Sequence, residues 1–244
     1  MEKTKILVLV PVYKRPEIFK IFAENLNFPS WIEAKVVAVL SKEDKFLSQN
    51  VRTCTKHNFV ITYSDNEPLG AKMNHGIEWG SLFTDWQYLM NIGSDDIIND
   101  DYWEKVQAHL LNGINMVGMN QIYAFNCYSN DTLKLKIDMI WGGGRLIKRD
   151  IIEQTIDKLG YIYTPYMSSG LDTDSQANII QVTDLVPTII DGCYLLDLKT
   201  DTNINTFLGL ENIPHEEIDY SEIRDKFGDI SRKCISIIKN RRVH

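Results

Sequence analysis

The order of apolar runs along the chain predicts an α/β fold built on a doubly wound, mixed sheet. Three observations lead there. Residues 5–12 (KILVLVPV), 35–40 (KVVAVL), 58–63 and 86–92 (WQYLMNI) are short, β-rich and apolar. Helix-compatible segments separate them, and sharp polar turns follow them. Strand and helix in strict alternation is the order of a parallel sheet, and such sheets bind ligands beyond the carboxyl ends of their strands. The segments 13–15, 41–44, 65–72 and 93–96 are therefore expected on one rim.

The run 5–12 has no polar alternation, so it reads as a central strand buried on both faces. Residues 17–26 then repeat Ile18, Phe19, Phe22 and Leu26 at helical spacing. The second strand, 35–40, passes into a polar turn, and the third, 58–63, leads through Pro68-Leu69-Gly70 into a helix expected over 71–83. The fourth ends at Gly93-Ser94-Asp95-Asp96. Beyond residue 113 the pattern becomes irregular. Short strand-like pieces at 114–117, 121–128 and 133–139 precede Trp141-Gly142-Gly143-Gly144. Helices are expected over 146–159 and 175–180, strands over 182–190 and 193–198, and a closing helix over 220–239. No linker-like composition separates 1–112 from 113–244, which predicts one continuous domain over 1–244.

Hydrophobic residues make up 44% of the 244 residues and charged ones 24%, which excludes disordered, collagen-like and disulfide-dense classes. The 26 Lys and Arg against 33 Asp and Glu leave a net charge of -7, so a global grip on nucleic acid is not expected. Cys54, Cys127, Cys193 and Cys234 are far apart and form no C-x-x-C pair; they read as buried free thiols of a reducing compartment. There is no signal-peptide pattern and no transmembrane stretch of about 20 apolar residues, and the expected location is cytoplasmic. The segment 231–244 carries five Lys or Arg and no acid. It is either a solvated helix end or an electrostatic handle for an anionic acceptor or a peripheral membrane contact.

The strongest local signal for chemistry is Gly93-Ser94-Asp95-Asp96. Adjacent carboxylates at the end of a buried strand repel one another and lose hydration, so a metal ion or donor groups must compensate. Hard oxygens of this kind suit Mg²⁺ or Mn²⁺, which bridge to phosphate oxygens. The plainer alternative is that Asp96 caps a helix opening near Asn99.

VLVPVYKRP near the start, PLGAKMNHGIE and the strand-terminal GSDD follow one another at intervals that resemble GT-A-type glycosyltransferases, most closely their family 2-like group. Gly142-Gly143-Gly144 with Arg145, and Gly170-Leu171-Asp172-Thr173-Asp174, are similar to that fold's acceptor-side segments. The resemblance spans most of residues 5–180. It implies a nucleotide-sugar-binding half over 1–112 and an acceptor-binding half over 113–244.

The resemblance also implies roles. Pro11, Val12 and Tyr13 would contact the donor's nucleobase, with Arg15 nearby, and Asp65 would read the base or ribose. Lys72 and Asn74 would approach the diphosphate. Asp95, flanked by Ser94, matches the last acid of the family's D-x-D motif, while Gly93 stands where the first acid is usual. Metal ligation would then rest on Asp95, Asp96 and a C-terminal group such as His215. The acceptor hydroxyl must lose a proton as it attacks, so a carboxylate is required as general base. Asp172 matches the acid of the family's E-D motif, with Leu171 in place of the Glu, and Asp174 competes for the role. Either one is equally a helix cap. Trp141, Tyr166 and Met167 are candidates for the floor of a sugar site, or core.

The implied activity is metal-dependent, inverting transfer of a sugar from a nucleoside diphosphate donor, UDP-linked by preference, to a hydroxyl on a glycan, lipid-linked sugar or protein. Two alternatives remain open at this level. One is a sugar-nucleotide pyrophosphorylase, disfavoured because PVYKRP stands where that class resembles a Gly-rich loop. The other is a non-catalytic binding protein on a degenerate scaffold, prompted by Gly93 and Leu171. No G-x-G-x-x-G or G-x-x-x-x-G-K-[ST] follows the first strand, which disfavours dehydrogenase and P-loop readings.

Overall fold

The computed structural model describes residues 2–82, 85–200, 203, 207–230 and 232–234. The elements run β1 (Thr4–Pro11), α1 (Pro16–Asn25), β2 (Ile32–Leu40), α2 (Leu47–Lys56), β3 (Val60–Tyr63), α3 (Leu69–Ser81), β4 (Tyr88–Asn91), β5 (Asp96–Ile98) and α4 (Asp101–Leu111). There follow β6 (Met116–Asn126), β7 (Thr132–Lys136), β8 (Leu146–Lys148), α5 (Arg149–Leu159), α6 (Leu171–Thr183), β9 (Thr188–Lys199), α7 (Phe207–Leu210), β10 (His215–Glu217) and α8 (Tyr220–Phe227).

One ten-stranded sheet unites both halves, in the order β10-β7-β6-β8-β4-β1-β2-β3, with β9 joined to β6 and β5 to β9. The strands β3, β2, β1 and β4 are mutually parallel, whereas β8, β7 and β10 pair antiparallel. β9 runs parallel to β6 along most of its length. β1 shows why the first half is so regular. Ile6, Val8 and Val10 pack with Phe19 and Phe22 of α1, while Leu7 and Leu9 pack with Met73 and Ile77 of α3. A strand covered on both faces has no reason to alternate polar with apolar.

The chain closes on α3 at a glycine. A Cβ on Gly76 would lie 2.3 Å from Leu9 Cδ1 and 2.6 Å from Val39 Cγ2, so only a residue without a side chain lets the helix sit this low on the sheet.

Several expected boundaries move. The helix predicted over 146–159 begins at Arg149, because 146–148 forms β8 between β4 and β6. The helix expected over 175–180 extends from Leu171 to Thr183, and the strand expected over 182–190 starts only at Thr188. The pieces 114–117 and 121–128 are one strand, β6. A polar-rich stretch left unassigned by periodicity forms α2. The closing helix is interrupted after Phe227, where Gly228 adopts a φ of 64°; residues 235–244, most of the basic tail, lie outside the described residues, as does Phe83. All four cysteines are free and buried. Among the described residues no helix is long and apolar enough to cross a membrane.

Candidate functional site

A cleft of about 260 Å³ opens where β1 and β4 end, walled by the turns after both strands, the start of α3, the 142–143 segment, the start of α6 and the end of β9. The turn after β1 is bent hard. Lys14 and Arg15 both take left-handed conformations, with φ 57° and 46°, a backbone state that non-glycine residues hold only under constraint. The constraint is visible: the Lys14 N–H donates to Asp44 Oδ2 at 2.7 Å, and Pro16 opens α1 with its φ preset for a helix.

That bend delivers Arg15 into the cleft, where its Nη1 meets Asp95 Oδ2 at 2.7 Å. The same oxygen accepts from Asn203 Nδ2 at 2.6 Å. Asp96 Oδ2 accepts from the Gly93 N–H at 2.7 Å, closing the turn on itself. Asp96 also stands opposite Asp197 in the β5–β9 register, and Asp197 Oδ2 pairs with Lys199 Nζ at 2.5 Å. Three carboxylates and two cations thus share one largely buried pocket.

Three negative charges against two positive leave an imbalance, and the ionisation equilibria follow it. Burial tends to raise the Asp95 pKa, yet the Arg15 and Lys199 charges hold it below the ordinary carboxylate value. Among the described residues no cation pairs directly with Asp96; burial and the charges of Asp197 and Asp95 push it well above, against a smaller pull from the Gly93 N–H and Lys199. Burial and Asp95 likewise raise Asp197, against the pull of Lys199. Arg15 and Lys199 both rise despite burial, because the carboxylates surround them.

A further cation enters from α3. Lys72 is wholly buried; its Nζ donates to the Val12 carbonyl at 2.9 Å and to Asn66 Oδ1 at 3.1 Å, 5.8 Å from the centre of the Tyr13 ring. Burial lowers its pKa to about 8, opposed by the charge of Asp44.

Across the cleft, Asp172 stands in the first turn of α6 and lines the opening. Its carboxylate rests directly on Gly142, where a Cβ would lie 1.8 Å from Asp172 Oδ1. Beneath it the fully buried Arg145 donates from Nη1 to the Asp172 carbonyl at 3.0 Å and from Nη2 to Ser175 Oγ at 2.6 Å. Asp174 is committed elsewhere: its carboxylate accepts from the Thr164 N–H at 2.8 Å and the Thr164 hydroxyl at 2.7 Å.

The cleft therefore gathers Pro11, Tyr13, Arg15, Lys72, Ser94, Asp95, Asp96 and Asp172, with Val12 present through its carbonyl. It does not gather the rest. Asp65 is exposed, and its neighbour Asn66 lines the wall instead. Asn74 ties down the 162–163 backbone, donating to the Tyr163 carbonyl at 2.6 Å and accepting from the Ile162 and Tyr163 N–H groups. His215 sits exposed on β10 at the far edge of the sheet, its Nδ1 2.8 Å from the Ile213 carbonyl. Asp197, Lys199 and Asn203 are what sequence reasoning misses. One signal was there: in CYLLDLK, Asp197 and Lys199 occupy alternate positions of an otherwise apolar strand, so both project to one face.

The donor set suits a divalent cation of a particular kind. Asp197 Oδ1 is buried and has no hydrogen-bond partner among the described residues, and Asp96 lies opposite it. Among the described residues no group of three or more His, Cys, Asp or Glu is arranged to hold a metal by itself. One or two carboxylates completed by substrate phosphates and waters is the usual Mg²⁺ arrangement. The residues fit an ion that arrives with a diphosphate.

No family model matches the chain, and no curated protein does. Solved structures do. TarS 1–349 of S. aureus aligns with a TM-score of 0.52 at 14% identity over 80% of this chain and 60% of that one; its complex with UDP-GlcNAc gives 0.52 at 13% over 98% and 72%. The mannosyltransferase PcManGT from Pyrobaculum calidifontis, in complex with GDP-Man and Mn²⁺, gives 0.54 at 14% over 84% and 60%. The fold is GT-A-like. This chain spans only about 60% of two of these three structures, and at such identities the likeness speaks for architecture.

Proposed function

We propose that this chain is a family 2-like hexosyltransferase that moves a sugar from a nucleoside diphosphate donor, UDP-linked, to a hydroxyl acceptor. The carrying observation is the single cleft at the carboxyl ends of β1 and β4 that holds Arg15, Lys72 and Lys199, the acids Asp95, Asp96 and Asp197, and Asp172 on its opposite wall. Support comes from TarS, solved with UDP-GlcNAc, and PcManGT, solved with GDP-Man and Mn²⁺.

Tyr13 and Pro11 offer the base an aromatic and apolar wall, with Lys72 donating at its edge. Arg15 and Lys199 face the diphosphate. Asp96 and Asp197, beside Asp95, would hold a divalent cation, which when bound would stabilise the charge of the leaving diphosphate. Asp172 accepts the acceptor's proton as the hydroxyl oxygen bonds to the anomeric carbon; the bond from that carbon to the phosphate oxygen breaks, and the nucleoside diphosphate departs with both electrons. Attack opposite the leaving group inverts the anomeric centre. The net charge of -7 disfavours a nonspecific grip on nucleic acid, and the reaction suits a cytoplasmic protein or one peripheral to a membrane.

Transfer from UDP-sugars, measured with Mn²⁺, tests this. Asp172→Asn is expected to lower kcat by about 10²–10⁴-fold with donor binding kept; full turnover in that variant would remove the base from Asp172. A second reading rests on the Arg15–Asp95 pair, which occupies the last acid of the D-x-D position: a nucleotide-binding protein without turnover. UDP binding with no transfer to any hydroxyl acceptor favours it.

A further inference from the structure

A second hollow of about 480 Å³ adjoins the donor cleft and shares Leu69, Leu171 and Asp172 with it. Asp172 therefore borders both the donor cleft and this groove. The groove is built from the 137–141 and 168–173 segments. Trp141 forms part of its wall, its indole fixed by an Nε1–H bond to the Asn120 carbonyl at 3.1 Å. Met139 is held beside Thr173, whose hydroxyl lies 3.4 Å from the Met139 sulfur. Asp138, Ser168 and Thr173 supply short polar groups.

The charge of the groove narrows its occupant. Two carboxylates, Asp138 and Asp172, line it, and among the described residues no Lys, Arg or His does. A phosphorylated ligand would meet repulsion with no cation to offset it. A neutral pyranose would set its apolar C–H face on a rigid indole and offer hydroxyls to the carboxylates and to Ser168, which is the mixture of apolar wall and few polar groups that small-molecule sites show.

We infer that this groove is the acceptor site and that it takes an uncharged saccharide, selected against phosphate-bearing acceptors; the inference rests on the transferase reading above. Saturation-transfer NMR on the full chain with UDP and Mn²⁺ tests it, with methyl β-glucoside, methyl β-galactoside and methyl α-mannoside set against glucose 6-phosphate and mannose 6-phosphate. At least one neutral glycoside is expected to bind about tenfold or more tightly than any sugar phosphate. Trp141→Ala should weaken that glycoside by about tenfold, Trp141→Phe should restore most of it, and Asp138→Lys should raise the affinity for the sugar phosphates. UDP affinity of each variant, measured in the same samples, reports an intact fold. The inference is overturned if sugar phosphates bind as well as neutral glycosides, if no glycoside binds, or if Trp141→Ala binds them undiminished. Absence of UDP binding in the unaltered chain overturns the donor reading instead, and this inference with it.

Discussion

Asp172 and Asp174 stand two residues apart in the first turn of α6 and have different surroundings, which sets apart two candidates that look alike in sequence. Asp174 saturates its carboxylate on Thr164, so Asp174→Asn should cost about 1–3 kcal/mol of stability, read as a lowered urea midpoint, with kcat little changed per folded molecule. Asp172→Asn should do the reverse. Lys72 carries a second prediction. Its pKa of about 8 means that its charge is present below that pH and lost above it. Affinity for UDP should therefore fall by up to about tenfold between about pH 7 and pH 9, and the slope should flatten in Lys72→Met. The stability sign is separate: a lysine whose folded pKa lies below its unfolded value adds stability only at high pH, and that contribution is lost as pH falls through about 8.

At the scale of elements, close approach governs. The 141–145 segment reaches α6 because Gly142 leaves room for Asp172; Gly142→Ala should displace that carboxylate and cut kcat by about tenfold or more with UDP affinity kept, measurable by steady-state kinetics and calorimetry side by side. The α3–sheet contact at Gly76 has no such functional content, and Gly76→Val should simply destabilise by about 1–3 kcal/mol through overpacking against Leu9 and Val39. These elements also show what could be read in advance. The strands β1, β2 and β4 and the helices α1 and α3 were legible because burial on both faces, or on one helical stripe, leaves a periodic trace. β8 was not: three residues, Leu146–Lys148, are too few to show a period, and the helix that follows absorbed them. β9 was split because Asp191 and Gly192 interrupt its apolar run, whereas the strand continues through them.

For the whole molecule, the doubly wound α/β core and the rim of turns follow from chain order, since topology alone brings strand ends together. The composition of the site does not. Two of its charged groups, Asp197 and Lys199, come from β9, over a hundred residues beyond the GSDD turn, and the pairing of Asp96 with Asp197 exists only once β5 and β9 are in register. His215, nearer to the family's pattern, is carried away by its place on β10 at the sheet edge. Long-range register is invisible to local periodicity, which is why a cleft was foreseeable and its full charge balance was not.

The central claim is that a nucleoside diphosphate and a divalent cation bind this cleft together through Asp96 and Asp197. Titration calorimetry of UDP into the full chain, with and without Mn²⁺, addresses it most directly. Binding in the range of about 1 μM to 1 mM is predicted with Mn²⁺, weakened about 10–100-fold without it and by a similar factor in Asp197→Asn. Equal affinity in all three titrations, or no binding in any, would contradict it.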